Sequence, residues 1–185
     1  MIDETLEELR EGIGRAHEAL KRDLSRLRTG RASADMLDSI RVDYYGTPTP
    51  LTQMASVTTP EARLLLVKPW DKSVLGAIER AIQTSPLELN PQSDGEILRI
   101  PIPALTEERR RDITKVARDH GEKCRVAIRA ARHEAKDIIE SLKKDGDVGE
   151  DEANLALKKL EGIVQEGNSA VDEIVSRKEK DIMTV

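Results

Sequence analysis

The sequence predicts an α+β fold, in which a long three-helix bundle is interrupted by a small inserted α/β domain. Apolar residues recur at helical spacing towards both ends of the 185-residue chain, whereas all eight prolines lie between Pro48 and Pro103. Only 2% of the residues are aromatic and 35% are charged, which is typical of long exposed helices with narrow apolar seams. The predicted bundle comprises residues 1–30 and 106–185, and the insert comprises residues 31–105.

The first helix is predicted over residues 1–29. Its apolar residues recur at spacings of three and four and are Ile2, Leu6, Leu9, Ile13, Ala16, Leu20, Leu24 and Leu27. Gly12 and Gly14 each cost a helix about 1 kcal/mol relative to alanine, but the apolar pattern continues through them. Gly30 follows the last apolar residue and predicts the end of the helix.

In the insert, the sequence predicts three strands and one helix, at 40–45, 63–68, 96–102 and about 72–84. Asp71 is positioned to cap that helix. The proline-containing stretch 46–60 is predicted to be a turn and a loop. The chain crosses between insert and bundle twice, and these crossings predict a hinge at Gly30, Pro103, Ala104 and Leu105.

A second long helix is predicted from the N-cap Thr106 to Lys144, and its 39 residues would span about 58 Å. A third helix begins near Glu150 and carries Leu157, Leu160, Val164, Val171, Ile174 and Ile182. Because none of the three long helices can bury its apolar residues alone, they are expected to pack together.

The second long helix is predicted to carry two opposite faces, at about 100° per residue. One is a basic stripe that consists of Arg111, Lys115, Arg118, Arg125, Arg129, Arg132 and Lys136. The other is an apolar stripe that consists of Ile113, Val116, His120, Cys124, Ala127, Ala131, Ala135, Ile138 and Leu142.

Residues 106–144 contain 12 Lys/Arg and 8 Asp/Glu, a net charge of +4, so the rest of the −5 chain sums to −9. A basic face on an otherwise acidic chain predicts a specific polyanionic partner. A solvated helix face without a partner is the alternative.

Several classes of protein are disfavoured. One cysteine excludes an intramolecular disulfide framework, and no apolar run approaches the roughly 20 residues that span a bilayer. The acidic N-terminus does not resemble a signal peptide. We therefore expect a cytoplasmic protein without a membrane partner.

The sequence predicts no catalytic residue, cofactor or metal. His120 and Cys124 lie four residues apart, as a nucleophile and its base would, but their place on the apolar stripe favours core packing. The chain has no P-loop and no set of zinc ligands. Trp70, Tyr44 and Tyr45 are expected in the core of the insert, with stacking on nucleic-acid bases as the alternative.

Several motifs resemble the bacterial ribosome recycling factor family across essentially the whole chain. They are Arg28-Thr-Gly-Arg-Ala-Ser33, Tyr44-Tyr-Gly-Thr-Pro-Thr-Pro-Leu51, Leu89-Asn-Pro91, Leu105-Thr-Glu-Glu-Arg-Arg110 and the run Arg-Val-Ala-Ile-Arg-Ala-Ala-Arg that ends at Arg132. The resemblance implies an L-shaped molecule, in which a three-helix bundle is joined by a hinge to a small β/α/β domain.

The resemblance also implies a function. Members of the family, with elongation factor G and GTP, split the post-termination ribosomal complex so that ribosomes are released from mRNA for a new round of translation. They have no catalytic activity of their own, and a monomer is expected. The alternative that the basic stripe leaves open is a non-enzymatic helical scaffold that binds an acidic protein or membrane surface.

Residues that contact ribosomal RNA of the large subunit are implied by position. Arg129 and Arg132 match arginines on the family's bundle, Arg28 and Arg31 match basic residues beside the hinge, and Arg110 matches an arginine of the Thr-Glu-Glu-Arg-Arg motif. His133 stands where a second arginine is expected beside Arg132, which implies a weaker or more pH-sensitive phosphate contact.

Overall fold

The structure, a computed structural model, describes residues 1–184. The chain forms two compact units, one from residues 1–28 and 107–184 and the other from residues 29–106. The first unit contains only long helices, and the second contains short strands and one helix. The predicted α+β fold class is therefore confirmed, whereas the hinge remains a prediction.

Three long helices build the first unit: α1 (Ile2–Ser25), α3 (Glu107–Asp145) and α4 (Glu150–Met183). The helix α2 (Leu75–Gln83) belongs to the insert. The helix α1 ends four residues earlier than predicted, in a turn closed by a 3.1 Å hydrogen bond from the Leu27 amide to the Leu24 carbonyl. Between α3 and α4, Gly146 adopts a φ of +80°, and the amide of Asp147 donates to the carbonyl of Leu142. This arrangement is a common way to terminate a helix.

The core of the bundle is a continuous set of aliphatic side chains from all three helices. Its fully buried members include Ile128, Ile139, Leu160, Val171 and Ile182, with Leu6, Leu9, Ile13, Leu20 and Leu24 from α1. Two glycines allow the helices to approach closely. A Cβ at Gly121 would lie 2.7 Å from Val175 Cγ2, and one at Gly167 would lie 2.9 Å from Ile13 Cγ2.

The insert contains two antiparallel sheets. The strands β1 (Arg41–Tyr44) and β2 (Thr47–Pro50) form a hairpin. A four-stranded sheet has the order β3-β4-β6-β5, and its strands are β3 (Ala55–Glu61), β4 (Leu64–Pro69), β5 (Gln92–Ser93) and β6 (Leu98–Pro101).

The helix α2 (Leu75–Gln83) follows a short 3-10 turn at residues 72–74, and Asp71 accepts a hydrogen bond from the Ser73 amide at 2.9 Å. The core of the insert is aliphatic and includes Leu37, Val42, Leu51, Leu65, Ile78, Ile82, Leu98 and Ile100. The predicted strands at 40–45, 63–68 and 96–102 and the predicted helix are thus all present: the strand at 63–68 keeps its length and is shifted by one residue, and the other three elements are shorter than predicted.

The prediction of a turn and loop over residues 46–60 is wrong, because most of this stretch forms β2 and β3. Proline cannot donate to a strand partner, so it argues against a central strand. Both β2 and β3 lie at the edge of their sheets, where Pro48, Pro50 and Pro60 are tolerated. The two-residue strand β5 was also missed.

The aromatic residues were expected in the core, and this expectation is wrong. Tyr45 is 81% exposed and Trp70 is 69% exposed, while Tyr44 is also on the surface. Tyr45 and Gly46 form the hairpin turn between β1 and β2 with φ angles of +49° and +83°. Such a turn positions its side chains away from the sheet, and the aliphatic residues fill the core instead.

Both ends of the insert are attached to one turn. The amide of Ala32 donates to the carbonyl of Ala62 at 2.7 Å, and the amide of Ile102 donates to the carbonyl of Arg63 at 2.9 Å. Gly30 is buried with a φ of +78°, and a Cβ there would lie 3.3 Å from Leu105 Cγ. The structure therefore brings Gly30 and Leu105 together, and the exposed Pro103 and Ala104 precede Leu105.

Candidate nucleic-acid interface

The buried face of α3 differs from the predicted apolar stripe. Its buried residues are Ile113, Ala117, Gly121, Cys124, Ile128, Ala135 and Ile139. This face is rotated towards the basic stripe by roughly 50°, half of the helical step per residue. Val116, Ala127 and Ile138 are consequently exposed, and their assignment to the bundle core is wrong. The reason is that α3 packs against α1 and α4 together, with Gly121 buried against Val175.

As a result, the basic stripe lies along the edge between α3 and α4. Three of its arginines, spaced seven residues apart, each contact a carboxylate of α4. Arg118 Nε donates to Glu179 Oε1 at 2.5 Å, Arg125 pairs with Asp172, and Arg132 pairs with Glu161. We call these six residues the α3–α4 ion-pair edge. The basic stripe is therefore neutralised in part by the protein itself.

Arg132 is the arginine of this edge for which the family resemblance implies an RNA contact. Its Nε lies 3.0 Å from Glu161 Oε1 and 3.2 Å from Glu161 Oε2, and its side chain is 37% exposed. The hydrogen bonds and charge of Glu161 raise the pKa of Arg132. Glu179 raises the pKa of Arg118 in the same way. Both guanidinium groups thus remain cationic while a carboxylate occupies part of their donor fork.

Arg129 is exposed and donates to Glu122 Oε1 at 2.9 Å. Glu122 also lies 3.6 Å from Arg125, and its pKa is lowered by the hydrogen bond from Arg129 and by the charges of both arginines. The structure therefore brings Arg129 and Arg132 onto the same exposed side of α3, each with one carboxylate partner. His133 is also exposed and lies 3.4 Å from Asp137.

The other predicted RNA-binding residues have different surroundings. Arg28 is exposed in the bundle unit, and Arg31 is exposed in the insert unit. Arg110 is half-buried, and its Nη1 donates to the carbonyl of Met183 at 3.3 Å. Because a cation near the last carbonyls of a helix stabilises it, Arg110 contributes to the end of α4.

Reasoning from the sequence missed the carboxylates of α4. A signal was present, because Asp172 and Glu179 are seven residues apart, as are the arginines that they contact. Charges repeated at heptad spacing on adjacent helices commonly form pairs between helices. The spacing within α3 alone does not indicate that a neighbouring helix carries partners for the basic stripe.

The pair His120 and Cys124 does not form a nucleophilic site. His120 Nδ1 lies 3.5 Å from Asp23 of α1, whereas Cys124 is buried. Burial raises the pKa of the Cys124 thiol and so disfavours the reactive thiolate.

Among residues 1–184, no group of three or more His, Cys, Asp or Glu is arranged to hold a metal ion. No helix in this range is long and apolar enough to cross a membrane.

Two solved structures have the same fold as this chain. The solution structure of a ribosome recycling factor aligns with a TM-score of 0.74 and 33% sequence identity, covering 100% of this chain and 98% of that chain. A second match, with a TM-score of 0.64, 41% identity and 99% coverage of both chains, comes from a structure of the T. thermophilus ribosome recycling factor and E. coli elongation factor G bound to the E. coli post-termination complex. The chain therefore shares its fold with a class of translation factors.

The sequence comparisons identify which translation factor family this is. The family description Ribosome recycling factor matches residues 20–183. The ribosome-recycling factor of Sorangium cellulosum is 56% identical over 185 residues, covering 100% of both chains. That of Anaeromyxobacter dehalogenans (strain 2CP-C) is 50% identical over 185 residues, covering 100% of this chain and 98% of the relative. The chain belongs to the ribosome recycling factor family, and the predicted family and function are confirmed.

Proposed function

We propose that the protein recycles ribosomes by docking the exposed side of α3 on large-subunit ribosomal RNA. The observation that carries this proposal is the position of Arg129 and Arg132, which share an exposed side of a rigid helix in a chain of net charge −5. A basic surface kept on an acidic protein favours a polyanion that fits this surface over general attraction to anions.

Arginine suits this role because its planar guanidinium can donate two parallel hydrogen bonds to a phosphate. Each phosphate that is neutralised also releases counterions, which makes binding strongly dependent on salt. Arg28 and Arg31 extend the proposed RNA-binding surface. Arg110 belongs to it by its position in the family motif, and its contact with the Met183 carbonyl also supports the end of α4.

The remaining steps require a partner. We propose that elongation factor G acts on the docked protein, and that GTP hydrolysis on that partner drives the splitting of the post-termination complex. Motion at Gly30 and at Pro103, Ala104 and Leu105 would transmit displacement between residues 31–105 and the bundle. In this proposal the protein acts as a cytoplasmic monomer and has no catalytic activity of its own.

Co-sedimentation with purified large subunits tests the docking surface. Arg132→Glu should weaken binding and make the remaining binding more sensitive to salt, with unchanged helical circular dichroism. Arg10→Glu is the matched control, because Arg10 is an exposed arginine on α1 that also pairs with a glutamate, Glu7, at 3.4 Å. Equal binding by the Arg132→Glu variant and the wild type at moderate salt would refute the docking assignment.

The function itself is tested by light scattering of post-termination complexes. Splitting should require this protein, elongation factor G and GTP together. Capture of proteins but not of ribosomal subunits from a lysate would instead favour a helical interaction scaffold.

A further inference from the structure

The three ion pairs of the α3–α4 ion-pair edge follow one pattern. In each pair the arginine comes from α3 and the carboxylate comes from α4: Arg118 with Glu179, Arg125 with Asp172, and Arg132 with Glu161. The arginines are evenly spaced by seven residues and therefore by about 10.5 Å along the helix. The three separate pairs lie along one edge of the bundle, between α3 and α4.

These pairs are poorly suited to a purely structural role. The helices α3 and α4 already share an aliphatic core that includes Ile128, Leu160 and Val171. Most side chains of the edge are accessible to water, and Arg118 is 67% exposed. Exposed ion pairs contribute little to stability, because water screens the charges and the long side chains lose freedom.

The carboxylates occupy the same donors that a phosphate would use. Glu161 accepts hydrogen bonds from both Nε and Nη2 of Arg132, which is the planar fork that binds a phosphate. A phosphate can bind this fork only if it displaces Glu161 or shares the two donors with it. Glu179 likewise contacts Nε and Nη2 of Arg118.

We propose that Glu161, Asp172 and Glu179 are internal competitors of phosphate that determine which RNA the protein binds. This inference rests on the proposed docking of α3 on ribosomal RNA. A flexible single strand must lose conformational freedom at each arginine from which it displaces a carboxylate. A folded RNA surface already holds its phosphates in place, so several arginines can exchange partners together at a lower entropic cost. The carboxylates therefore weaken binding to unstructured RNA more than binding to the ribosome.

The test removes the three carboxylates without changing side-chain shape, in the triple variant Glu161→Gln, Asp172→Asn and Glu179→Gln. The control variant carries Glu152→Gln, Glu166→Gln and Glu173→Gln. Its three substitutions lie on the same helix as those of the edge variant, and the two variants have the same net charge. These three control glutamates are exposed, and within residues 1–184 none of them forms an ion pair within 4.0 Å. Glu122, which contacts Arg125 and Arg129, is unchanged in both variants.

Binding is measured to a fluorescein-labelled uridine 12-mer and to purified large subunits over a range of salt concentrations. Relative to the control variant, the edge variant should bind the 12-mer roughly tenfold more tightly and with a steeper salt dependence, since up to three additional cations are available. Its preference for large subunits over the 12-mer should fall by a similar factor.

Two results would overturn the inference. Equal gains in 12-mer binding by both variants would show that net charge alone matters, and no gain by the edge variant would show that the carboxylates do not compete. Failure of the wild-type protein to bind large subunits would instead refute the proposed docking, and the 12-mer measurement would still decide whether the carboxylates compete. Unchanged helical circular dichroism confirms that each variant is folded.

Discussion

Replacement of Gly121 by alanine tests how closely α3 and α4 approach. A Cβ at this position would lie 2.7 Å from Val175 Cγ2 and 3.8 Å from Val171 Cγ1, and the first distance is too short for two carbon atoms. At Gly14 of α1, by contrast, a Cβ would meet no atom within 4 Å among the residues that the structure describes, apart from its chain neighbours and the backbone of its own helix. Both substitutions add the same methyl group to a helix. The addition has a steric cost at Gly121 and none at Gly14.

The expected magnitudes follow from two opposing effects. Alanine favours a helix over glycine by about 1 kcal/mol, so Gly14→Ala should raise the free energy of unfolding by roughly that amount. At Gly121 the same gain is opposed by overpacking, which costs about 1–3 kcal/mol. Val175 is β-branched and has one strongly preferred rotamer in a helix, so it cannot easily rotate away. We expect Gly121→Ala to destabilise the bundle by about 1 kcal/mol, and the two variants to differ by about 2 kcal/mol.

The assay is urea unfolding followed by helical circular dichroism, which reports mainly on the bundle. Val175→Ala serves as the second arm, because removal of the clashing methyl groups should make Gly121→Ala less costly in that background. The resulting double-mutant cycle should give a coupling energy of about 1–2 kcal/mol. Stabilisation by Gly121→Ala equal to that by Gly14→Ala would refute the close approach of the two helices.

Three further predictions concern individual side chains. Burial raises the pKa of the Cys124 thiol, so native protein should react with Ellman's reagent far more slowly than protein in urea. The variant Cys124→Ser should still recycle ribosomes. A fast reaction of the native protein would contradict the buried position of Cys124. Tyr45 has a φ of +49°, so Tyr45→Asn should stabilise the insert by up to about 1 kcal/mol in thermal unfolding, whereas a loss would show that its ring contact with Tyr44 outweighs the strain. Hydrogen bonds lower the pKa of Asp71, Asp94 and Glu96. Their ionised forms therefore stabilise the insert above the unfolded pKa values of about 4, and this stability is lost as pH falls through the lowered folded values. Urea unfolding followed by the fluorescence of the single tryptophan should show this loss as the pH falls below about 5, and the triple amide variant should flatten it. An unchanged pH profile would contradict the assignment.

The existence and approximate length of the bundle helices were predictable, because apolar residues recur along each of them at spacings of three and four. The strands β2 and β3 were not, because Pro48, Pro50 and Pro60 argue against strands unless the position at a sheet edge is known. The exposure of Trp70 was also hidden. Aromatic residues are usually buried, and only the completed aliphatic core of the insert shows that this one is not required there.

The candidate site was predictable in part. The wheel of α3 located the arginines, because their spacing alone places them on one stripe. It misplaced the buried face, because Gly121 carries no hydropathy signal and is buried by its packing against α4, mainly against Val175. The partners of the arginines depend on how α4 aligns with α3, and the spacing of residues within one helix contains no information about that alignment.

The meeting of Gly30 and Leu105 gives the insert the topology of a closed loop, because the chain leaves it close to the point where it enters. A segment with adjoining ends can be excised and replaced by a few glycine and serine residues without altering the order of the three bundle helices. Such a shortened chain would keep the bundle and lack residues 31–104. Its binding to the ribosome would therefore show what the bundle contributes without the insert.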